Sequence, residues 1–235
     1  MLKNYLLPGL TWLLATACFA QPVTVTPRSV YIEYAYVDIP EDDMVQKMMF
    51  GNTKIKVYAD DQYIKLESEV QTPGGMHSMA VRNNKTGETQ LYVSIDTLKI
   101  RMDDDSQRLT ALFGVEDSTL EWKTVEMPGM TIMDVPVQAW SVADPEDSGE
   151  TFAFLADHIL PSEGIAQCPV FISRNGKCAG LLLGHNQEYG KFTTHLRATV
   201  LEFDQPQEVG ALLAEYRPVT KEEGNKLMQK ALFGN

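Results

Sequence analysis

Four histidines, two cysteines beyond the N-terminal stretch and a run of three aspartates are the residues of this chain whose types could do acid–base, nucleophilic or metal chemistry. Their spacing speaks against it. His77, His158, His185 and His195 all lie outside metal-ligand spacing of one another and of Cys168 and Cys178, with no HxH or HxxxH pair. They read as strand or turn residues. No GxSxG elbow supplies a serine nucleophile, no cysteine has a suitably placed histidine, and no glycine-rich loop could cradle a phosphate. Asp103-Asp104-Asp105 offers the oxygen ligands that calcium takes. Consecutive residues point in different directions, however, and the glycine and distal glutamate of a calcium loop are missing, so the run reads as a solvated acidic turn. Glu41-Asp42-Asp43 and Glu222-Glu223 fall at predicted helix N-termini, where the helix dipole alone explains them. No catalytic residue, cofactor or metal site is expected, and the chain reads as a non-enzyme.

Methionine is the group that remains. Met44, Met48 and Met49 lie on one predicted helix, and Met76, Met79, Met127, Met130 and Met133 fall on nearby strands and turns. A flexible, polarisable thioether fills irregular core gaps and equally adapts to apolar ligands of irregular shape. Core packing, the lining of a hydrophobic pocket and a soft-ligand site for Cu(I) are the three readings, the last without any tight Met-x-Met spacing. The candidate ligand-binding residues are therefore Met44, Met48, Met49, Met79 and Met130, for a hydrophobic small molecule or lipid.

These side chains must be positioned by strands. Tyr63 to Val70 places Ile64, Leu66 and Val70 on one face and Lys65, Glu67 and Glu69 on the other, the period-two pattern of a sheet with one wet side. Strand runs are predicted at 30–38, 54–59, 77–82, 89–95, 97–102, 120–127, 130–142, 151–158, 170–173, 177–184 and 192–204. Tight turns such as Asp60-Asp61, Pro128-Gly129 and Pro145 to Gly149 separate them, which argues for an antiparallel meander rather than βαβ units. Two helices are predicted. One follows Pro40, spans Glu41 to Phe50, carries Met44, Val45, Met48 and Met49 as an apolar stripe, and stops at Gly51. The other starts at Thr220 with Glu223 completing a capping box, and runs to about Phe233. The dipeptide Asn175-Gly176 is a strong two-residue hairpin turn. It puts Cys178 opposite Ser173 and Cys168 opposite Leu183, with the two cysteines roughly 16 Å apart along the ladder. A disulfide tolerates a Cα separation of only about 7 Å, so Cys168 and Cys178 are either bridged through another register or separately buried thiols.

The N-terminus reads as an address. Residues 1–20 carry one charge, Lys3, and an apolar stretch of roughly a dozen residues ending in Cys18-Phe19-Ala20, a secretory signal peptide with cleavage before Gln21. A membrane-spanning helix needs about 20 apolar residues, and Pro8-Gly9 interrupts this shorter run. Cys18 raises lipoprotein-type acylation as a rival, but Ala15 stands where such signals carry a large aliphatic residue. The expected location is periplasmic or secreted, with residues 21–235 as one β-rich domain and no transmembrane segment after the signal. Removing residues 1–20 takes away one basic side chain and no acidic one, leaving a charge one unit more negative than the −12 of the whole chain. Such a surface repels phosphate backbones and excludes nucleic acid as a partner.

The order of these segments resembles a group of uncharacterised exported proteins of Gram-negative bacteria. They are the GLPGLI-type and related domain-of-unknown-function families, near the LolA and LppX lipoprotein and lipid carriers. The correspondence rests on "IPEDDMVQKMMFG", "KIKVYADDQYIKLES", "GGMHSMAVRNNKTGETQLYVS", "GKCAGLLLGHN" and the closing "RPVTKEEGNKLMQKAL". It implies a mainly β fold with a strongly curved antiparallel sheet, a LolA-like half-barrel, with the Met-rich and C-terminal helices across its concave side. In carriers of that architecture the hollow holds acyl chains. The function so implied is a non-enzymatic binding or carrier-like protein for a hydrophobic ligand; the alternative is a structural or interaction module of a cell-envelope assembly.

Overall fold

Period-two alternation builds one large sheet. A computed structural model describes residues 23–69, 76–104, 113–115, 120–143, 150–189, 192–207 and 209–233. The expected signal peptide, with Cys18, lies outside these residues, as do Asp105 and the turn around Pro145 to Gly149. The first six strands are β1 (Val30–Val37), β2 (Lys54–Ala59), β3 (Tyr63–Glu69), β4 (His77–Asn83), β5 (Thr89–Ile95) and β6 (Leu98–Asp103), and each pairs antiparallel with the next. Helix α1 (Met44–Phe50) lies between β1 and β2. The chain continues through β7 (Glu121–Val125), the two-residue strands β8 (Thr131–Ile132) and β9 (Val135–Pro136), β10 (Gln138–Ala143), β11 (Glu150–Ala156), β12 (Phe171–Arg174), β13 (Lys177–Tyr189) and β14 (Phe192–Phe203). It ends in α2 (Val209–Leu213), β15 (Arg217–Pro218) and α3 (Lys221–Phe233). Spatially the sheet runs β7-β10-β11-β13-β14-β1-β2-β3-β4-β5-β6-β15 and does not close, with β12 and β14 sharing one edge of β13. The last long strand thus lies beside the first, joining the two halves of the chain in one sheet. Mainly β structure, an open antiparallel sheet and a C-terminal helix are the fold class expected from the sequence.

The register assigns each strand two faces. On one, Val30, Ile32 and Tyr34 stand beside Ala59, Val57 and Ile55, followed by Ile64, Leu66 and Ala80. This face packs against Phe113, Ile165, Cys168, Ile172 and Leu181–Leu183 in the main core, and Tyr34 donates from its hydroxyl to the Leu182 carbonyl at 2.7 Å. Farther along the sheet, α3 lays Leu227, Met228 and Leu232 against Val93, Ile95, Ile100 and Met102. On the opposite face, Tyr58, Met79, Val81 and Tyr92 are covered by Val209, Leu213 and Tyr216 from α2 and the turn after it.

That same opposite face holds a charged row, Glu33–Lys56–Glu67, continued by Met79 across β1 to β4. His77 Nε2 donates to Glu67 Oε1 at 2.8 Å, while Lys65 Nζ lies 3.4 Å and Lys56 Nζ 3.8 Å from the carboxylate. The His77 hydrogen bond, reinforced by both lysines, outweighs desolvation and holds Glu67 down at about 2. Beside this row Tyr31 donates to Glu33, and burial together with that carboxylate pushes the phenol up.

Local departures from the sequence reading have identifiable causes. The helix predicted from Glu41 begins at Met44, because Asp43 caps it. The run predicted as one strand over 130–142 turns back at Met133-Asp134, both at positive φ, into the β8–β9 hairpin before β10 begins. Helix α2 has no counterpart in the predicted elements. The Asn175-Gly176 turn does pair Ser173 with Cys178 and Arg174 with Lys177. The ladder then shifts by one residue at Gly180, whose φ of +139° no ordinary side chain adopts easily and whose Cβ would come 2.6 Å from the Ala156 carbonyl oxygen.

Candidate functional site

Helix α1 is anchored by a polar residue and an aromatic one, and its methionines face out. Asp43 Oδ1 accepts from the Gln46 backbone N–H at 2.9 Å and Oδ2 from Gln46 Nε2 at 3.0 Å, which holds the Asp43 carboxyl below its usual range. Phe50 sits one turn later on the same side as Gln46, its ring centroid 4.6 Å from Tyr36 and 6.2 Å from Phe192. Gln46 is buried, whereas Met44 is 74% exposed, Val45 57%, Met48 83% and Met49 50%. A fully buried side chain of this size is worth about 1.5–3 kcal/mol, so this helix leaves several kcal/mol of apolar burial unrealised.

Beside α1 opens a cavity of about 740 Å³, lined by Asp38, Asp42, Asp43, Met44, Phe192 and His195 among others. The β14 side chains enter from the strand that pairs with β1, so the groove follows from that pairing. His195 Nδ1 lies 3.2 Å from Asn186 Oδ1 on β13. Two positions along β14, Arg197 lies with its guanidinium carbon 4.6 Å from the Phe154 ring centroid and donates to the carbonyls of Leu196 (2.8 Å) and His185 (3.3 Å). Gly184 makes this approach possible, since a Cβ there would come 2.9 Å from Ile132 Cδ1 and 3.0 Å from Arg197 Cδ. Burial pulls the Arg197 guanidinium down from its usual range against the opposing pull of Asp38. Burial, with Arg197 nearby, lowers His185 to about 4, so its imidazole is neutral at pH 7.

The structure does not bring the five candidate methionines together. Met44, Met48 and Met49 share α1 on the surface; Met79 is 1% exposed in the cluster beneath α2; Met130 is half-buried against the main core, with its carbonyl accepting from Val137 N at 3.2 Å. Cys168 and Cys178 are free thiols in the structure. Complete burial pushes the Cys168 thiol up to about 12, and burial also raises Cys178, whose Sγ lies 4.0 Å from the Gly180 carbonyl oxygen. Asp103 accepts from Gln90 Nε2 at 3.5 Å. Among the described residues no group of three or more His, Cys, Asp or Glu could hold a metal ion. No helix among them is long and apolar enough to cross a membrane. Sequence reasoning missed the outward roll of α1; Phe50, the residue that sets it, was legible only as the end of the helix.

No family model matches the chain. No curated protein matches it either. Among solved structures, PNGF-II in its C2 crystal form is similar at 13% identity with a TM-score of 0.48, over 86% of this chain and 33% of that one. The same protein in its P21 form gives 0.47. A hypothetical protein of Chlamydia trachomatis, CT021, is similar at 8% identity with a TM-score of 0.42, over 78% of this chain and 91% of that one. The chain thus spans about a third of PNGF-II, and likenesses at these scores carry no argument about what it does.

Proposed function

We propose that this chain is a non-enzymatic binding module of the cell envelope, exported by residues 1–20, whose docking element is α1 with the groove beside it. One observation carries the reading: a helix tied down by Gln46 and Phe50 holds Met44, Val45, Met48 and Met49 in solvent. Exposed apolar side chains grouped on one short element are the mark of an interaction surface. The carboxylates of Asp38, Asp42 and Asp43 along the groove favour a protein partner, with basic residues flanking an apolar segment, over an acyl chain lying between them. The overall negative charge of the chain also disfavours docking on an anionic bilayer.

A photo-crosslinking amino acid at Met48, with Gln229 on α3 as a control, tests this in cells that export the chain. The expected result is a discrete protein adduct from position 48, absent from position 229 and abolished by Met44→Ser with Met49→Ser. Native mass spectrometry of the purified mature chain is the second arm. An acyl chain that co-purifies and is lost in the same double variant would replace the docking reading with the carrier reading. Neither adduct nor ligand would overturn both.

A further inference from the structure

A second, more enclosed cavity of about 330 Å³ lies between α2 and the face of β3 to β6 that carries Met79. Its volume is at the low end for small-molecule sites. Arg101, Tyr92, Tyr63, Gln90, Glu88 and Leu213 are among the residues that line it. In register Arg101 stands directly opposite Tyr92, and it hydrogen-bonds that phenol, whose own hydroxyl donates to Gln90 Oε1 at 3.0 Å. Beyond this contact Arg101 Nε is buried with no hydrogen-bond partner, and among the described residues no carboxylate lies within ion-pair distance of the guanidinium. A guanidinium without a counter-ion lining a cavity is an unfilled site for an anion that its planar fork fits, a carboxylate or a phosphate, and the acidic Glu88 at the other end favours the carboxylate of a zwitterion.

Glu88 supplies the opposite charge at the exposed end of the cavity. It precedes Tyr92 by four residues on the same face of the chain, roughly 13 Å of extended backbone. Both residues line the cavity, and the Glu88 carboxylate, which accepts from Thr86 Oγ1 at 3.2 Å, stands at its open end, so the gap exceeds the single carbon that separates ammonium from carboxylate in a free amino acid. Two or three extended residues, at about 3.3–3.6 Å each, span about 7–11 Å of it and leave the remainder to the long Arg101 and Glu88 side chains. Tyr63, Val81, Leu213 and Ala214 line the space between with apolar surface and Asn83 with an amide. We propose that this cavity binds a short zwitterionic peptide of two or three residues, with its C-terminal carboxylate on Arg101 and its ammonium group on Glu88. The site does not depend on α1.

Trialanine, its C-terminal amide and its N-acetyl derivative are the probes, titrated calorimetrically into the mature chain. Trialanine is expected to saturate a single site, the amide to bind at least tenfold more weakly, and the acetyl derivative several-fold more weakly. Arg101→Gln should abolish the discrimination between acid and amide. Gly210→Leu grows a side chain from α2 into the cavity and should abolish binding. Its Cβ would lie 3.8 Å from the Tyr63 hydroxyl, an ordinary contact, so the fold is kept and the melting temperature checks it. Should Arg101→Gln fail to fold, the acid–amide comparison on the unmodified chain together with Gly210→Leu decides the matter. No trialanine binding, equal binding of acid and amide, no effect of acetylation, or binding that survives Gly210→Leu would each overturn the proposal. Met44→Ser with Met49→Ser should leave trialanine binding unchanged, so this site and the α1 surface fail or stand separately.

Discussion

Glu67 makes the acid stability of the sheet calculable. Its carboxyl lies at about 2 in the folded chain against an ordinary 4.5, the His77 hydrogen bond being the largest cause. A carboxyl lowered on folding contributes stability that is complete above its unfolded value and is lost as pH falls through the folded one. The window is therefore from pH 4.5 down to about 2. At about 1.4 kcal/mol per unit the full shift would amount to about 3–4 kcal/mol. The side chain keeps 12% exposure and neighbours Lys56 at 21%, so solvent screens part of the interaction and about 1–2 kcal/mol is the realistic share. Glu67→Gln should thus destabilise the chain by about 1–2 kcal/mol at pH 7, and the gap to the unmodified chain should close as pH approaches 2. Urea unfolding at pH 7, 4 and 2.5, followed by the fluorescence of the Trp122–Trp140 pair, measures it directly. A gap of the same size at pH 2.5 as at pH 7 would refute the reasoning, because the loss would then come from packing and not from the charge.

Gly184→Ala should cost about 1–3 kcal/mol, since the new methyl must displace Ile132 or Arg197; a melting temperature equal to that of the unmodified chain would exclude the close packing described. Cys168 should resist a thiol reagent at pH 8 in the folded chain and react at once in urea, Cys178 being the only one of the pair to react slowly before unfolding. Mass spectrometry of the intact exported chain without reductant should show both thiols free. Its N-terminal sequence should begin at Gln21, and a start at an acylated Cys18 would instead make it a tethered protein.

The strands were legible because alternation survives wherever one face is buried: Ile64 and Leu66 against Lys65 and Glu67 is the pattern in its plain form. The N-cap of α3 was legible too, since Glu223 N donates to Thr220 Oγ1 at 3.1 Å, while the Glu223 carboxylate that a capping box would turn back to Thr220 takes Arg217 instead. Short-range geometry carried the Asn175-Gly176 hairpin as far as Ser173 and Cys178. It failed at Gly180, where the ladder shifts by one residue and the backbone of Ala156 and Asp157 comes too close for any Cβ. The cavity beneath α2 was not legible. Arg101 and Gln90 fall on a face that sequence marks as wet, and only residues 209–216, more than a hundred positions later, turn that face into an enclosure.

The roll of α1 shows the same limit in its sharpest form. A stripe of Met44, Val45, Met48 and Met49 on a seven-residue helix would turn inward if hydrophobicity along the helix were the only force. Two local contacts outweigh it. The bidentate grip of Asp43 on Gln46 satisfies the first turn only if Gln46 lies on the Asp43 side. Phe50, one turn on, brings a larger ring to Tyr36 on β1 and Phe192 on β14, strands that meet only in the finished sheet. With residues 46 and 50 held inward, residues 44 and 48 must point away, because positions two apart lie on opposite sides of a helix. The exposed methionines are thus a consequence of how α1 is fastened, and the binding role proposed for them explains why that fastening leaves apolar surface uncovered.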